Sequence, residues 1–495
     1  MAADPPRRRL LATLLPAGSA GEARTAGARR VLSNVGLQFS GRIVGMIVSL
    51  VTVPLLARAL GVNGFGVWTA ALAFVSIFGS LTEGGLGAAA TMRMSADPEH
   101  EGEWLGALGS LRTLVSIVVL ILCLAVIPVV LEDSGDTRLV AAILSATVLF
   151  AGAASLMSVF QSRLRGAIPL ALSILQSLLW LGTVVAVAAI GAGVVTVAAG
   201  YTAVMGVIAL AQVLATRRLA RLAWRGVRAR WGALLRVAVP IGLAGVFITI
   251  YYKADAILLL RLGSEAEAGV YGAAYRILDP LLFLPQTVMA AIFPVMSAMR
   301  GAADDARLRR VVQLAADYMA ALSLPILAVT VVLSGPIVAL LFGTEFERSA
   351  EVLPILMIAF VAICYGSLAG YLAPVVGLQW RLTLFAGIGA LANIGLNIVL
   401  IPEYGAVGSA WATVLTEGLT MLLLLVTCLR ALGLRLSVTR ILGAAVAAAL
   451  MGLAMYAARP LGLIPGLAAG AVAYPALLLG LRVVRIAELR EMIRR

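Results

Sequence analysis

LGALGSLRTLVSIVVLILCLAVIPVV, residues Leu105 to Val130, carries a single charge, Arg112, in twenty-six positions. As a helix rising 1.5 Å per residue, such a run is long enough to cross the ~30 Å hydrocarbon core of a bilayer. In lipid a lone segment satisfies its backbone only by becoming helical. The stretch therefore predicts a transmembrane helix, and runs like it recur between residues 33 and 483, about fourteen in all. Of 495 residues, 62% are hydrophobic and 13% are charged, and the mean hydropathy is +1.03. That mix lies outside soluble globular chains. The expected fold is an all-α integral membrane protein of about fourteen transmembrane helices. Gly335 to Phe342 is apolar but too short for a span, and Glu345 to Glu351 is polar, so a short interfacial element is expected there.

The charge of +14 does not point to nucleic acid, because no basic stretch is interleaved with aromatics and the arginines sit between apolar runs. They alternate instead as membrane topology requires. With the N-terminus in the cytoplasm, 29 of the 38 basic residues fall on the inner side. The outer side holds only Arg58, Arg138, Arg261, Arg348 and Arg459, and four bases lie within spans. Both termini are then cytoplasmic. Arg7, Arg8 and Arg9 precede Leu10 to Leu15, an apolar run shorter than the ~7–15 residues of a signal-peptide core. Residues 1–30 read as a mobile, basic cytoplasmic tail. Cys123, Cys364 and Cys428 each sit in an apolar run without paired spacing, so neither a disulfide frame nor a metal or other cofactor is expected.

The richest inner loop, with Arg217, Arg218, Arg221, Arg225, Arg228, Arg230 and Arg236, divides the chain. A six-helix lobe over 31–216, a basic linker over 217–235 and a second six-helix lobe over 236–430 are followed by two further helices and a basic tail over 431–495. Leu60-Gly61 then Gly66-Val67-Trp68 is echoed by Leu262-Gly263 then Gly269-Val270-Tyr271. An echo in equivalent positions predicts parallel repeats about an axis along the membrane normal.

Several spaced segments resemble the oligosaccharide-lipid and polysaccharide-repeat flippases of the multidrug/oligosaccharidyl-lipid/polysaccharide exporter superfamily. They are Val53-Pro54-Leu55-Leu56-Ala57-Arg58-Ala59-Leu60-Gly61 leading to Gly64-Phe65-Gly66-Val67-Trp68, and Leu81-Thr82-Glu83-Gly84-Gly85-Leu86-Gly87. In the second lobe they are Asp255 to Leu259, Gly269 to Arg276, Phe293-Pro294, Asn393, Asn397, Ile401-Pro402 and Gly405 to Thr413. The resemblance implies two lobes around a central cavity. It also implies alternating access acting on a polyprenyl-diphosphate-linked oligosaccharide for cell-surface polysaccharide synthesis in the cytoplasmic membrane. Glycosyltransferases and a polysaccharide polymerase are the partners it implies. Lipid II flippases of peptidoglycan synthesis and cation-coupled multidrug exporters are the rival readings.

Ionisable residues within spans are costly and hence functional candidates. Lys253, Arg276 and Arg42 are expected to bind the diphosphate, since phosphate is met by paired guanidinium donors or an ammonium point charge. Arg42 has Glu83 as an alternative partner, and Arg276 has Asp279 three residues on. Lys253, the only lysine, has no partner on its own helical face, because Asp255 two residues away points elsewhere. Asp279 and Glu417 are candidates to carry a coupling proton or sodium ion. Glu83, Asp255, Pro280 and Pro285 are expected to be structural or gating, the prolines by kinking a helix. A membrane-embedded enzyme would need an acid, base or metal site reachable from one surface. The only histidine, His100, lies among Asp97, Glu99, Glu101 and Glu103 and reads as solvated, so no catalysis is expected.

Overall fold

The protein is described from a computed structural model that covers residues 19–131, 135–163, 165–219, 223, 226–302 and 304–481. Within its helices, the side chains of 19–40, 42, 98, 135, 161, 219, 240, 241 and 244 lie outside the description. The remaining parts of the two basic tails and of the central linker also fall outside it.

Among the described residues the fold is helical throughout, with no strand. Eleven helical stretches are long and apolar enough to cross a membrane. Two of them, Ile43–Ala96 and Gln379–Leu432, hold 54 residues each. That would be about 80 Å of straight helix, far beyond one bilayer crossing. Each contains a glycine outside helical geometry, Gly61 (φ 65°, ψ 178°) and Gly405 (φ 54°, ψ −131°). At Gly405 the chain folds back, because a Cβ added to Gly408 would lie 2.4 Å from the carbonyl oxygen of Leu400, eight residues earlier. In a continuous helix those positions are about 12 Å apart. The figure of about fourteen passes remains the reading from hydropathy and charge. Large apolar side chains face outward, among them Ile47, Ile121, Phe247 and Val399. This is a surface suited to lipid and not to water.

Element boundaries differ from the hydropathy reading in several places. The first helix starts at Ser19, inside the expected tail, where alanine, glutamate and arginine favour helix without help from the bilayer. The helix Val227–Leu262 starts within the expected linker and carries Arg228 and Arg230 beyond the apolar zone. Gly335 to Phe342 is no separate element but the end of the helix Asp305–Phe342, which Gly343 terminates at φ 92° before the short 3-10 turn Thr344–Phe346.

The echoed segments meet each other. A Cβ on Gly66 would lie 1.8 Å from the carbonyl oxygen of Glu265, and one on Gly269 would lie 2.0 Å from that of Val62. Each glycine thus touches the residue four positions before the other glycine, the exchange expected across a two-fold axis. Glycine is required at both positions for the backbones to come this close. On the opposite, arginine-rich face the start of Val227–Leu262 packs into the first lobe. There Val227, Leu234 and Ala238 share a core with Leu86, Met94, Leu105, Leu108 and Phe160. Gly242 of the same helix rests on the left-handed Gly84 turn, where an added Cβ would fall 2.5 Å from the Gly84 backbone.

The last two helices, Thr439–Ala458 and Leu463–Gly480, pack on Asp305–Phe342 through Leu333, Ala447, Met451, Met455 and Tyr474. Asp317 is spent on this joint. It accepts from Gln313 at 2.8 Å and pairs with Arg440 at 3.6 Å, while Gln313 also bonds the backbone of Ser437.

Candidate functional site

Between the glycine crossing and the basic face lies a cavity of about 240 Å³. One wall comes from the first lobe, with Thr69, Ser76 and Tyr201. The other comes from consecutive helices of the second, with Lys253 and Asp255 on one and Tyr275, Arg276 and Asp279 on the next. The expectation that Lys253 and Arg276 share a cavity therefore matches the geometry. Among the described residues Lys253 makes no ion pair, and its Nζ sits 5.7 Å from the centroid of the Tyr275 ring, within cation–π reach. Arg276 reaches Asp279 only at 4.0 Å, so much of its donor fork is unspent. Pro280 and Pro285 flank Leu282, where the helices Glu265–Leu281 and Phe283–Gly301 meet, just past the two charged residues.

The other candidates fall elsewhere. The side chain of Arg42 lies outside the described residues. Glu83 is exposed at the end of its helix, within electrostatic reach of the largely buried Arg112, whose Nε is buried without a hydrogen bond. Glu417 is buried beside Tyr251 and does not line the cavity.

Asp255 lines the cavity, but its carboxylate belongs to a polar cluster that reading along the sequence does not assemble. Its Oδ2 accepts from the Tyr271 hydroxyl at 2.9 Å and from Thr413 at 3.3 Å, and its Oδ1 accepts from Asn397 at 3.1 Å. Asn397 also donates to Asn393, which in turn donates to Thr416 at 3.3 Å. All six are buried, and the Oδ1 of Asn397 and the Oγ of neighbouring Ser409 have no hydrogen-bond partner. Buried acceptor oxygens around a carboxylate are suited to a small hard cation or a proton. Among the described residues no group of three or more His, Cys, Asp or Glu side chains could hold a transition metal. The sequence signal was two asparagines four apart in an apolar run, one helical face of buried polar groups.

The sequence profile described as "Polysaccharide biosynthesis protein" matches residues 31–300, more than half of the chain. The chain belongs to the polysaccharide biosynthesis protein family. A second profile, MatE, matches residues 240–399. Two relatives from Haloferax volcanii are each 26% identical. One, "Probable flippase AglR", aligns over 78% of this chain and 81% of its own length, and the other, "Probable low-salt glycan biosynthesis flippase Agl15", over 76% and 79%. In fold this family member is similar to the lipid II flippase MurJ in an inward closed conformation. The TM-score is 0.73 at 14% identity, covering 91% of this chain and 99% of that one. An inward-facing multidrug resistance MATE family transporter of the MOP superfamily gives a TM-score of 0.62 at 15% identity, over 79% and 94%. The expected superfamily and its all-helical fold are thus found.

Proposed function

We propose that this protein is a transporter, not an enzyme, that flips a polyprenyl-diphosphate-linked oligosaccharide across the cytoplasmic membrane by alternating access for cell-surface polysaccharide synthesis. One observation carries this reading: two cations, Lys253 and the lightly engaged Arg276, line one cavity between the lobes. A charge within a span is costly, up to about 2.5–3.5 kcal/mol at its centre even on the mildest scale, so a cation without a fixed partner in a span is suited to a ligand that brings the anion. A diphosphate meets both groups. The names of the two archaeal relatives agree with glycan flipping. Arg42, on the first helix, is the third candidate for the diphosphate.

The crossing of Gly66 and Gly269 closes the cavity on the face away from the basic loops. Under the topology read from the arginines, with both termini, the 1–30 tail, the basic tail after the last helix and the 217–235 linker in the cytoplasm, that is the outer face. Opening would part the two glycines and bend the chain at Pro280 and Pro285, with Glu83 at the inner end of its helix and Asp255 at the lobe core as structural supports. A coupling proton or cation would be carried by Asp279 or Glu417, or by the buried oxygens around Asp255. Glycosyltransferases on the inner side and a polymerase on the outer side would supply and consume the lipid-linked glycan.

Cells lacking the protein should accumulate lipid-linked oligosaccharide on the cytoplasmic leaflet, relieved by the wild-type gene. Unchanged lipid pools, together with altered tolerance to cationic drugs, would replace this reading with multidrug export.

A further inference from the structure

The cavity has two chemically different walls. All of its fixed charges, Lys253, Asp255, Arg276 and Asp279, come from the second lobe, whereas the first lobe contributes a neutral surface on which the hydroxyls of Thr69 and Ser76 and the ring of Tyr201 are set among the aliphatic Leu72 and Ala73. That ring, Tyr201, is held in place. Trp68 and Trp180 stack at 5.5 Å with 17° between their planes, and Tyr201 packs at right angles against both, at 5.4 Å and 4.9 Å. Beside it, the Oγ1 of Thr69 is buried without a hydrogen-bond partner, opposite Gly272 of the second lobe, where an added Cβ would approach to 2.9 Å. Parting the lobes uncovers that hydroxyl. Ser76 donates to the carbonyl of Leu72 at 2.6 Å, which leaves its oxygen free to accept.

We infer that this neutral wall, Tyr201 with Thr69 and Ser76, recognises the first sugar of the lipid-linked glycan, while Lys253 and Arg276 on the facing wall hold the diphosphate. The inference rests on the flippase reading above. A pyranose presents an apolar C–H face and a rim of hydroxyls, which an immobilised ring flanked by hydroxyls complements. A prenyl tail would leave those hydroxyls unpaired at a cost. Rigid aromatic anchors bind with little loss of side-chain entropy. Size sets the portion of the ligand: 240 Å³ is below the ~300–1,000 Å³ of ordinary small-molecule pockets, so the site takes the sugar next to the diphosphate and not a whole oligosaccharide.

The test is the Kd of the purified full-length protein for a short-chain prenyl diphosphate, bare and carrying one pyranose. Wild type is expected to bind the sugar-bearing ligand about tenfold more tightly, the combined effect of one aromatic contact and one hydrogen bond. Tyr201→Leu should erase that ratio while still binding the bare ligand. If Tyr201→Leu loses both ligands, Thr69→Val, which keeps the side-chain shape, decides by whether it lowers the same ratio. Binding of both ligands by wild type with no sugar preference, or a preference that survives Tyr201→Leu, overturns the sugar wall and leaves the flippase reading intact. Failure of wild type to bind either ligand overturns the flippase reading and the wall with it.

Discussion

Lys253 and Asp255 stand two positions apart and do different work. The ammonium makes no ion pair among the described residues, while the carboxylate is taken up by Tyr271, Asn397 and Thr413. Lys253→Ala should therefore weaken headgroup binding by about 10–100-fold, the worth of one charge-assisted hydrogen bond, with Lys253→Arg retaining part of it. Titration calorimetry with a prenyl diphosphate reads both, and unchanged affinity in Lys253→Ala would remove the lysine from the site. At the basic face, His100 Nδ1 lies 2.9 Å from Asp97, and this hydrogen bond lifts the imidazole above its ordinary 6.5 while lowering Asp97 below 3.8. For a raised histidine, the stabilising contribution is fully present below pH 6.5 and fades as pH rises through the raised value. As His100 is the only histidine, its proton titration is read by NMR without assignment, and Asp97→Asn should move it back down. A midpoint unmoved by Asp97→Asn would contradict the pairing. The free lysine was legible in the sequence because helical periodicity says which neighbours a side chain can reach. The Asp255 cluster was not, because its partners are 16 to 158 positions away and only the packed fold unites them.

Helices are where reading the sequence succeeded most fully, and where its failures have a local cause. Hydropathy and arginine alternation locate the apolar runs, as with Glu101–Val130 and Ser349–Val375. The reversal at Gly405 also falls between two apolar runs, where Pro402, Glu403 and Tyr404 interrupt the hydropathy. Gly405→Ala would put a methyl group 2.3 Å from the Glu267 carboxylate, which accepts from the Ala406 amide and pairs with Arg348. With φ at 54° the backbone alone costs about 1–3 kcal/mol for a residue with a Cβ. A thermal midpoint lowered by a few degrees is expected, and an unchanged one would mean that the turn relaxes freely. The Gly66–Gly269 crossing was only hinted at by the echo, since a short repeat does not reveal that its two copies touch. Gly269→Ala should overpack it by about 1–3 kcal/mol and bias the protein toward opening. The assay is labelling of Ala73→Cys, inside the cavity, by a membrane-impermeant maleimide added from the face opposite the basic loops. Faster labelling in Gly269→Ala is expected, and equal rates would separate the crossing from gating.

Across the whole molecule the two lobes are joined at both ends of the cavity by different means. On one face bare backbones cross at two glycines. On the other the start of Val227–Leu262 is bound to the first lobe, with Arg230 bonding Glu103 at 2.9 Å and lying 4.5 Å over Trp104, and Trp231 donating to Ser110 at 3.3 Å. Polar contacts at a water-exposed face can exchange with water at small net cost, whereas a tight glycine crossing is lost as a unit, and such a pair suits a protein with two alternative closures. Binding the headgroup between the walls gives the ligand differential affinity for the state in which both walls reach it, which any alternating-access cycle requires. The most direct measurement is transbilayer movement of a prenyl-diphosphate-linked saccharide in liposomes holding the purified protein, read as loss of protection from a membrane-impermeant sugar-oxidising reagent. Protein-dependent loss of protection, slowed by Lys253→Ala and absent for a lipid without the diphosphate, is the predicted result. Protection equal to that of protein-free liposomes would contradict the proposed function.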